Sequence, residues 1–182
     1  MPERFNATAE GLAEYAVKCW NIPNIYVWGG IGEYITDEML DEKIARWPEW
    51  YIPERAQIRK EFVGRNVRGW DCIGLIQSYT WGDYHQGNTK YYFPEEFLNT
   101  SQLIEMDLVK GDIATLPERP GLVLWKQGHV GVYIGNGEVI ESTPRIVTGP
   151  RKGEIGRVGG VVKSKLEDVA WTVWLQFPGV QY

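Results

Sequence analysis

The chain has 182 residues, of which 43% are hydrophobic and 24% are charged, as expected for one globular domain with a sizeable core. Its 19 Lys and Arg against 24 Asp and Glu give a net charge of −5, and no basic run is long enough to follow a phosphate backbone, which argues against a nucleic-acid partner. No stretch approaches the roughly 20 apolar residues that cross a bilayer, and no apolar segment of a secretion signal follows the first residues. We expect a single domain over residues 1–182, monomeric and without membrane insertion.

The first helix is predicted over residues 8–20, with Asn6 or Thr8 as its cap. Its apolar positions recur at helical spacing and are Leu12, Tyr15, Ala16 and Cys19. Two cysteines, Cys19 and Cys72, are too few for a disulfide scaffold, so both are predicted to be free thiols. Cys19 is expected to be a small buried core residue.

A short apolar run enters a glycine turn over residues 25–30, and a charged segment follows over residues 31–69. Helical patterns within this segment cover residues 36–46 and 53–62, and we interpret the whole segment as an inserted helical cap. It carries an aromatic cluster made of Trp47, Trp50 and Tyr51. This cluster is expected to form a satellite core under the insertion, with the wall of a cleft as the alternative.

The second long helix is predicted from Asp71 to about residue 81, with Asp71 as its N-cap and Cys72 as its first residue. Its apolar positions suit a helix that is buried on most faces and are Ile73, Leu75, Ile76 and Tyr79.

The remainder of the chain predicts β structure. A polar loop over residues 82–90, a short helix over residues 94–99 and a turn over residues 110–112 come first. Strands are then expected at residues 122–126, 129–134, 138–143, 156–163 and 171–177. Helices followed by antiparallel strands indicate an α+β fold.

Cys72 is the candidate nucleophile. The first turn of a helix offers unpaired N–H groups and the positive end of the helix dipole, both of which stabilise a thiolate. Two glycines, Gly69 and Gly74, lie close by and suggest a shaped site. An inert buried cysteine is the alternative.

His129 is the candidate base. Gly128 and Gly131 flank it, so a substrate or a backbone segment can approach the ring closely. The second histidine, His85, falls in the polar loop and is expected to be a solvated side chain.

Glu141 is the candidate orienting group, and its role depends on the turn at residues 135–137. A two-residue turn with a regular ladder would put Glu141 on the face opposite His129, whereas a three-residue turn would pair Ile134 with Glu138. We predict the three-residue form. It places on one face His129, Tyr133, Val139 and Glu141. A surface carboxylate is the alternative for Glu141.

Tyr26 and Asp71 are assigned to the substrate and oxyanion side of the site. The oxyanion would be bound by the backbone N–H of Cys72 and by the hydroxyl of Tyr26, unless Tyr26 is simply packed. Cys72 and His129 lack two further soft ligands at close spacing, so no metal and no cofactor are expected.

Three segments together resemble the NlpC/P60 family of papain-like cell-wall cysteine peptidases. They are Tyr26-Val27-Trp28-Gly29-Gly30, Asp71-Cys72-Ile73-Gly74-Leu75-Ile76, and Gly128-His129-Val130-Gly131-Val132-Tyr133-Ile134-Gly135-Asn136-Gly137 with Glu141. The resemblance implies an antiparallel sheet of five or six strands packed on the cysteine helix. It also implies cleavage of stem-peptide bonds in peptidoglycan, often between D-isoglutamate and the diamino acid.

Two residues depart from the family pattern. Ile73 stands where the family often has serine, which puts the common bond specificity in doubt, and Glu141 stands where histidine is frequent. Glu141-Ser142-Thr143-Pro144 is similar to a clostridial and phage-type subgroup of wall hydrolases. In that subgroup, holin-dependent release would account for the absence of a signal, as would a leader trimmed from the chain.

The leading hypothesis is a peptidoglycan endopeptidase with a Cys-His-Glu site. An N-acetylmuramoyl-L-alanine amidase and an acyl transferase would use the same residues. A non-catalytic wall-binding module is the alternative from another class.

Overall fold

A computed structural model describes residues 4–83, 93–145 and 157–182. A six-stranded antiparallel sheet forms the centre of the fold, and two helices pack on one of its faces. This α+β architecture agrees with the class that the order of the predicted elements indicated.

The described residues contain five α-helices: α1 (Ala9–Trp20), α2 (Asp37–Arg46), α3 (Pro53–Lys60), α4 (Cys72–Thr80) and α5 (Thr100–Glu105). Single 3-10 turns lie at Pro94–Glu96, Ile113–Thr115 and Leu166–Asp168. α1 begins where the sequence predicts, because the Thr8 hydroxyl accepts a hydrogen bond from the Gly11 N–H at 3.1 Å.

The strands of the described residues are β1 (Ala7–Thr8), β2 (Asn24–Tyr26), β3 (Ile31–Tyr34), β4 (Arg68–Trp70), β5 (Lys110–Asp112), β6 (Val123–Lys126), β7 (His129–Gly135), β8 (Glu138–Thr143), β9 (Gly160–Lys165), β10 (Val173–Leu175) and β11 (Val180–Gln181). The main sheet has the order β5-β10-β6-β7-β8-β9. A second sheet has the order β2-β4-β3, and β1 pairs with β11.

The main core lies between helices α1 and α4 and the central strands β7 and β8. Its fully buried side chains include Leu12, Leu75, Ile76, Val130, Val132 and Ile140. Cys19 lies in this core as a free thiol with no exposed surface, and burial raises its pKa to about 12. The prediction of a buried core cysteine is therefore confirmed.

The segment 31–69 contains the two predicted helices, α2 and α3, but its two ends are strands rather than helical cap. β4 lies between β2 and β3 in the second sheet and leads directly into Asp71. The sequence pattern did not indicate β4, because Arg68 within it is buried. The Arg68 guanidinium donates to the Gly32 carbonyl and to Asp83, which compensates for the burial of its charge.

The aromatic cluster of the insertion packs in a satellite core, as predicted. Tyr51 is buried there, and Trp47 and Trp50 pack against it while half-buried. This core lies under α2 and α3 and includes Val27 and Leu40.

Four predictions for the C-terminal half differ from the structure. Residues 110–112 form strand β5 rather than a turn, and the helix expected at residues 94–99 is only a 3-10 turn. α5 was not predicted, although Asn99 and Gln102 form a capping box at its start. Strand β9 extends to Lys165, beyond the predicted range 156–163. Strand β10 lies within the predicted range 171–177 but is shorter.

Most of the polar loop predicted at residues 82–90, with His85, lies outside the described residues. Among the described residues, no helix is both long enough and apolar enough to span a bilayer.

Candidate active site

Asp71 connects the start of helix α4 to the glycine turn after β2. Its carboxylate accepts a hydrogen bond from the Gly74 N–H at 2.6 Å, which caps the helix as predicted. Its other oxygen accepts from the Gly29 N–H at 2.9 Å. Asp71 therefore links the first turn of α4 to the glycine turn after β2, so that Cys72 and Tyr26 line the same cleft. These two hydrogen bonds give Asp71 a structural role.

The Asp71 carboxyl is buried, and burial raises its pKa to about 6 although the N–H groups of Gly74 and Gly29 oppose the shift. Ionisation of the Asp71 carboxyl therefore lowers the free energy of unfolding. The two hydrogen bonds from Gly74 and Gly29 reduce this cost.

Cys72 is the first residue of α4 and is 8% exposed. Burial, together with the nearby Asp71 carboxylate, raises the pKa of its thiol to about 12. The backbone N–H groups of Val130, Ile73 and Cys72 itself act in the opposite direction. Cys72 thus has the predicted place at the start of the helix, and the N–H groups there favour the thiolate, but desolvation of the sulfur has the larger and opposite effect on its pKa.

His129 and Glu141 form the most strongly connected part of the site. The Nε2 atom of His129 lies 2.5 Å from a carboxylate oxygen of Glu141, and the Glu141 side chain has no exposed surface. The imidazole is 14% exposed and stacks on Trp171 with ring centroids 5.5 Å apart and an interplanar angle of 14°. The ring is thus held on one edge and on one face.

The second oxygen of Glu141 accepts hydrogen bonds from Arg145 at 2.7 Å and from the Ser164 hydroxyl at 2.8 Å. Burial alone would raise the pKa of this carboxyl, but His129, Arg145 and Ser164 together hold it below its usual value. Glu141 is therefore an ionised carboxylate at neutral pH and is hydrogen-bonded to His129. The alternative of a surface carboxylate is wrong.

The turn between β7 and β8 differs from the prediction. Asn136 and Gly137 are its two central residues, both with positive φ (54° and 70°), and Gly135 pairs with Glu138. The two-residue turn is combined with a β-bulge between Tyr133 and Gly135, so the ladder beyond it pairs Tyr133 with Val139.

The bulge adds one unpaired residue to β7, as a three-residue turn would have added one residue to the loop. Beyond it, the side chains of β7 and β8 therefore point to the same faces of the sheet in both cases. His129 and Glu141 therefore lie on one face, as predicted, although the predicted pairing of Ile134 with Glu138 and the predicted loop length are wrong.

Strand β7 begins at His129 and passes beside Cys72 at the next residue, Val130. The N–H of Val130, the residue after His129, is directed at the Cys72 sulfur. No hydrogen bond joins the Cys72 sulfur to His129 in the described part of the chain. The contact between this part of β7 and Cys72 is therefore made by the backbone of Val130.

A cleft of about 260 Å³ opens beside Cys72. Its walls include Tyr26, Trp28, Trp47, Asp71, Ile73 and Gly128. Trp47 thus contributes both to the satellite core and to the cleft wall. A slightly larger cavity, about 300 Å³, lies between α3 and β2 away from Cys72 and contains neither cysteine nor histidine.

Tyr26 is 2% exposed and lines this cleft with Cys72, and burial raises the pKa of its phenol well above the ordinary value. Within the described residues, its hydroxyl has no hydrogen-bond partner. The hydroxyl is thus a protonated donor that no other described residue uses.

Three residues of the site were not identified from the sequence: Arg145, Ser164 and Trp171. Ser164 lies on β9, where Val162 pairs with Glu141, so the contact follows from strand register alone. Arg145 is four residues after Glu141 and lies beyond the end of β8, where this spacing predicts no side-chain contact. Neither contact leaves a recognisable signal in the sequence.

Within residues 4–83, 93–145 and 157–182, no group of three or more His, Cys, Asp or Glu side chains is arranged to hold a metal ion.

No protein-family model matches this chain, and no curated protein matches it. Among solved structures, the chain is similar to the NlpC/p60 domain of the peptidoglycan hydrolase SagA, at 16% identity over 94% of this chain and 100% of that one, with a TM-score of 0.43. It is also similar to the peptidoglycan hydrolase RipB from Mycobacterium tuberculosis, at 19% identity over 96% of this chain and 67% of that one, with a TM-score of 0.44. TM-scores below 0.5 at such identities do not establish a common fold, so the site is interpreted from its own geometry.

Proposed function

We propose that this chain is a cysteine peptidase of the NlpC/P60 kind that hydrolyses an amide bond in the stem peptide of bacterial peptidoglycan. Cys72 is the nucleophile, His129 the general base and Glu141 the group that orients it. The observation that carries the proposal is the contact between His129 on strand β7 and the buried Glu141 on strand β8, together with the N–H of Val130, the residue after His129, which acts on the Cys72 sulfur. The D-isoglutamyl–diamino acid bond is the proposed target.

In the proposed reaction, the Cys72 sulfur attacks the amide carbonyl carbon while the thiol proton passes to Nδ1 of His129. The oxyanion of the tetrahedral intermediate is bound by the Cys72 N–H and by the Tyr26 hydroxyl. His129 then returns the proton to the leaving amine as the C–N bond breaks. A water molecule hydrolyses the acyl-enzyme with His129 as base, which releases a carboxylate and restores the thiol.

Two features of the site support general-base attack over a preformed thiolate–imidazolium pair. The thiol of Cys72 has its pKa raised to about 12, so it is protonated at rest. Glu141 accepts the Nε2 proton of His129, which leaves Nδ1 as the acceptor for the thiol proton. The base is therefore ready before the substrate binds, and the nucleophile is activated only during attack.

A second candidate is a wall-binding module without catalysis. The observation in its favour is the same raised pKa of Cys72, because an inert buried cysteine would have it too. Against it stands the hydrogen-bonding of Glu141 to His129, Arg145 and Ser164, which a binding surface does not require. An amidase or an acyl transferase would differ only in the bond attacked or in the acceptor.

Digestion of purified peptidoglycans of known stem chemistry, followed by mass spectrometry of the fragments, tests the proposal. We expect new amino and carboxyl ends with the wild type and none with Cys72→Ala, while Cys19→Ala serves as the matched control because its thiol is buried away from the cleft. Fragments that persist with Cys72→Ala contradict the mechanism. A folded wild type that binds the wall and releases nothing supports the binding module.

The same proposal includes a cellular setting. We infer that the chain acts on the bacterial wall as a monomer and belongs to the clostridial or phage-type subgroup with a Cys-His-Glu site.

A further inference from the structure

A second cavity, about 280 Å³, lies on the far side of Trp50 from the Cys72 cleft. The Trp50 ring packs on Tyr26 and Trp28, which line the cleft, with centroid distances of 5.9 and 5.8 Å. Its other contacts are with two guanidinium groups that line the second cavity, those of Arg55 at 4.9 Å and Arg59 at 4.6 Å from the ring centroid. One aromatic ring thus separates the cleft from a cationic cavity.

Arg59 is 3% exposed and has no carboxylate partner among the described residues. Its guanidinium donates instead to the backbone carbonyls of Tyr26 at 2.9 Å, Arg55 at 3.0 Å and Val158 at 3.3 Å. Burial lowers its pKa to about 10, so it remains charged at neutral pH. A buried guanidinium is normally paired with an anion, and carbonyl oxygens supply no compensating charge.

Arg55 is also without an ion pair in the described part of the chain. Arg157 lines the same cavity and pairs only at its exposed side, with Glu61 at 3.2 Å. Among the described residues that line the cavity, Glu54 has the one carboxylate. Because Arg157 pairs with Glu61, the surplus of positive charge in the described lining comes from Arg55 and Arg59 against Glu54. The rest of the lining is apolar and consists of Trp50, Ile58, Pro144 and Val158.

We propose that this cavity is a binding subsite for a carboxylate at the end of a short aliphatic chain, held by Arg55 and Arg59. The guanidinium fork matches a carboxylate, and the apolar lining matches the methylene groups that carry it. On the proposed function, which this step requires, the carboxylate belongs to a peptide whose scissile amide lies at Cys72 and whose free acid passes Trp50. The subsite would then select acidic stem peptides over their amidated forms.

Direct titration tests the subsite without any need for activity. The full chain is labelled with ¹⁵N-arginine, and the Nε–Hε signals are followed at constant ionic strength with glutarate, with its neutral isostere glutaramide, and with inorganic phosphate. We expect a saturable shift of the Arg59 and Arg55 signals with glutarate and none with glutaramide. Absence of a saturable shift, or equal shifts with glutaramide, overturns the proposal. Tighter saturation by phosphate overturns the carboxylate assignment.

Two variants locate the binding. Arg59→Gln removes bonds that connect α3 to β2 and is a poor test because the fold depends on them. Arg55→Gln removes an exposed charged side chain, and we expect it to weaken glutarate binding by about tenfold or more, the loss of one charge-assisted hydrogen bond. Arg119→Gln is the matched control, since Arg119 is also exposed and lies over an aromatic ring, that of Tyr182. Equal weakening by both variants overturns the proposal.

Digestion kinetics separate this inference from the proposed function. With a defined acidic stem peptide, Arg55→Gln should raise KM with little change in kcat, and the amidated peptide should show no such difference between variant and wild type. If the wild type cleaves neither peptide, the proposed function fails while the titration still decides the subsite. If it cleaves both equally and Arg55→Gln has no effect on KM, the subsite plays no part in substrate selection and the inference is wrong.

Discussion

The site has a strand side, formed by His129 on β7 and Glu141 on β8, and a helix side, formed by Cys72 at the start of α4. The two sides differ in the number of side-chain contacts that hold their polar groups. On the strand side, the Glu141 carboxylate has hydrogen bonds from three side chains, and His129 is stacked on Trp171. On the helix side, burial and the Asp71 carboxylate raise the pKa of the Cys72 thiol, and only backbone N–H groups oppose that shift. The imidazole of His129 is thus held in place by side chains, whereas the Cys72 thiol stays protonated, which avoids the cost of a buried thiolate.

The largest expected effect concerns the strand side. Glu141→Gln keeps the shape of the residue but removes the charge that orients His129, and we expect kcat/KM for peptidoglycan fragments to fall by about 10³-fold or more. Glu138→Gln is the matched control on the same strand, because Glu138 pairs only with the partly exposed Lys163. Similar activity for both variants would mean that the two carboxylates are equivalent and that the strand side is not specially prepared.

The helix side is tested by the pH dependence of Cys72 alkylation with iodoacetamide in a Cys19→Ala background. A thiol with a pKa of about 12 is mostly protonated below that pH, so the rate should rise about tenfold per pH unit from about pH 7 to pH 10. The measurement is the loss of free thiol with time by mass spectrometry. A plateau that begins near neutral pH would reveal a preformed thiolate and would remove the difference between the two sides.

Asp71 offers a stability test of the helix side. Its folded-state pKa, about 6, lies above the unfolded value of 3.8, so the folded protein binds the proton more tightly. The stabilisation that the protonated carboxyl gives to the folded state is therefore fully present below pH 3.8 and is lost as the pH rises through 6. A shift of about two units corresponds to about 3 kcal/mol. The free energy of unfolding of the wild type minus that of Asp71→Asn should therefore increase as the pH falls from neutral toward 4.

Urea unfolding of both proteins at several pH values gives this difference, and effects of other carboxyl groups cancel in it. A difference that is constant, or that decreases toward acid pH, would show that Asp71 is not held at a raised pKa.

The smallest effect is expected for Arg145, which supports Glu141 from an exposed position. Arg145→Gln should lower kcat/KM by about tenfold or less, because Ser164 still donates to the same oxygen. Since Arg145 helps to lower the pKa of Glu141, the acid limb of the pH profile should move to higher pH in the variant. An unchanged acid limb, with Arg119→Gln as control, would limit Arg145 to packing.

Capping and spacing account for most of what could be predicted. Asp71 was recognised as the cap of α4 because a short acceptor at that position serves nearby N–H groups, and this signal is local. Residue type and order along the chain identify Cys72, His129 and Glu141 as candidate site residues. In contrast, β4 was missed because its buried Arg68 depends on partners at Gly32 and Asp83.

The β7–β8 turn shows why register is harder to predict than strands. Asn136-Gly137 was a clear turn signal, yet the face of Glu141 depended on a bulge near Gly135 that compensates for the shorter loop. A bulge is decided by how two strands pack on their neighbours, so the local sequence does not specify it.

By itself, the sequence determined the α+β order, the start of α1 and α4 and the residue types of the site, because these depend on periodicity and on hydrogen bonds over a few residues. Only the tertiary structure decided the ionisation of the site. Burial raises the pKa of Cys72, and contacts from Arg145 and Ser164 lower that of Glu141. Desolvation and long-range hydrogen bonds arise when distant segments meet, and that meeting is a property of the packed molecule.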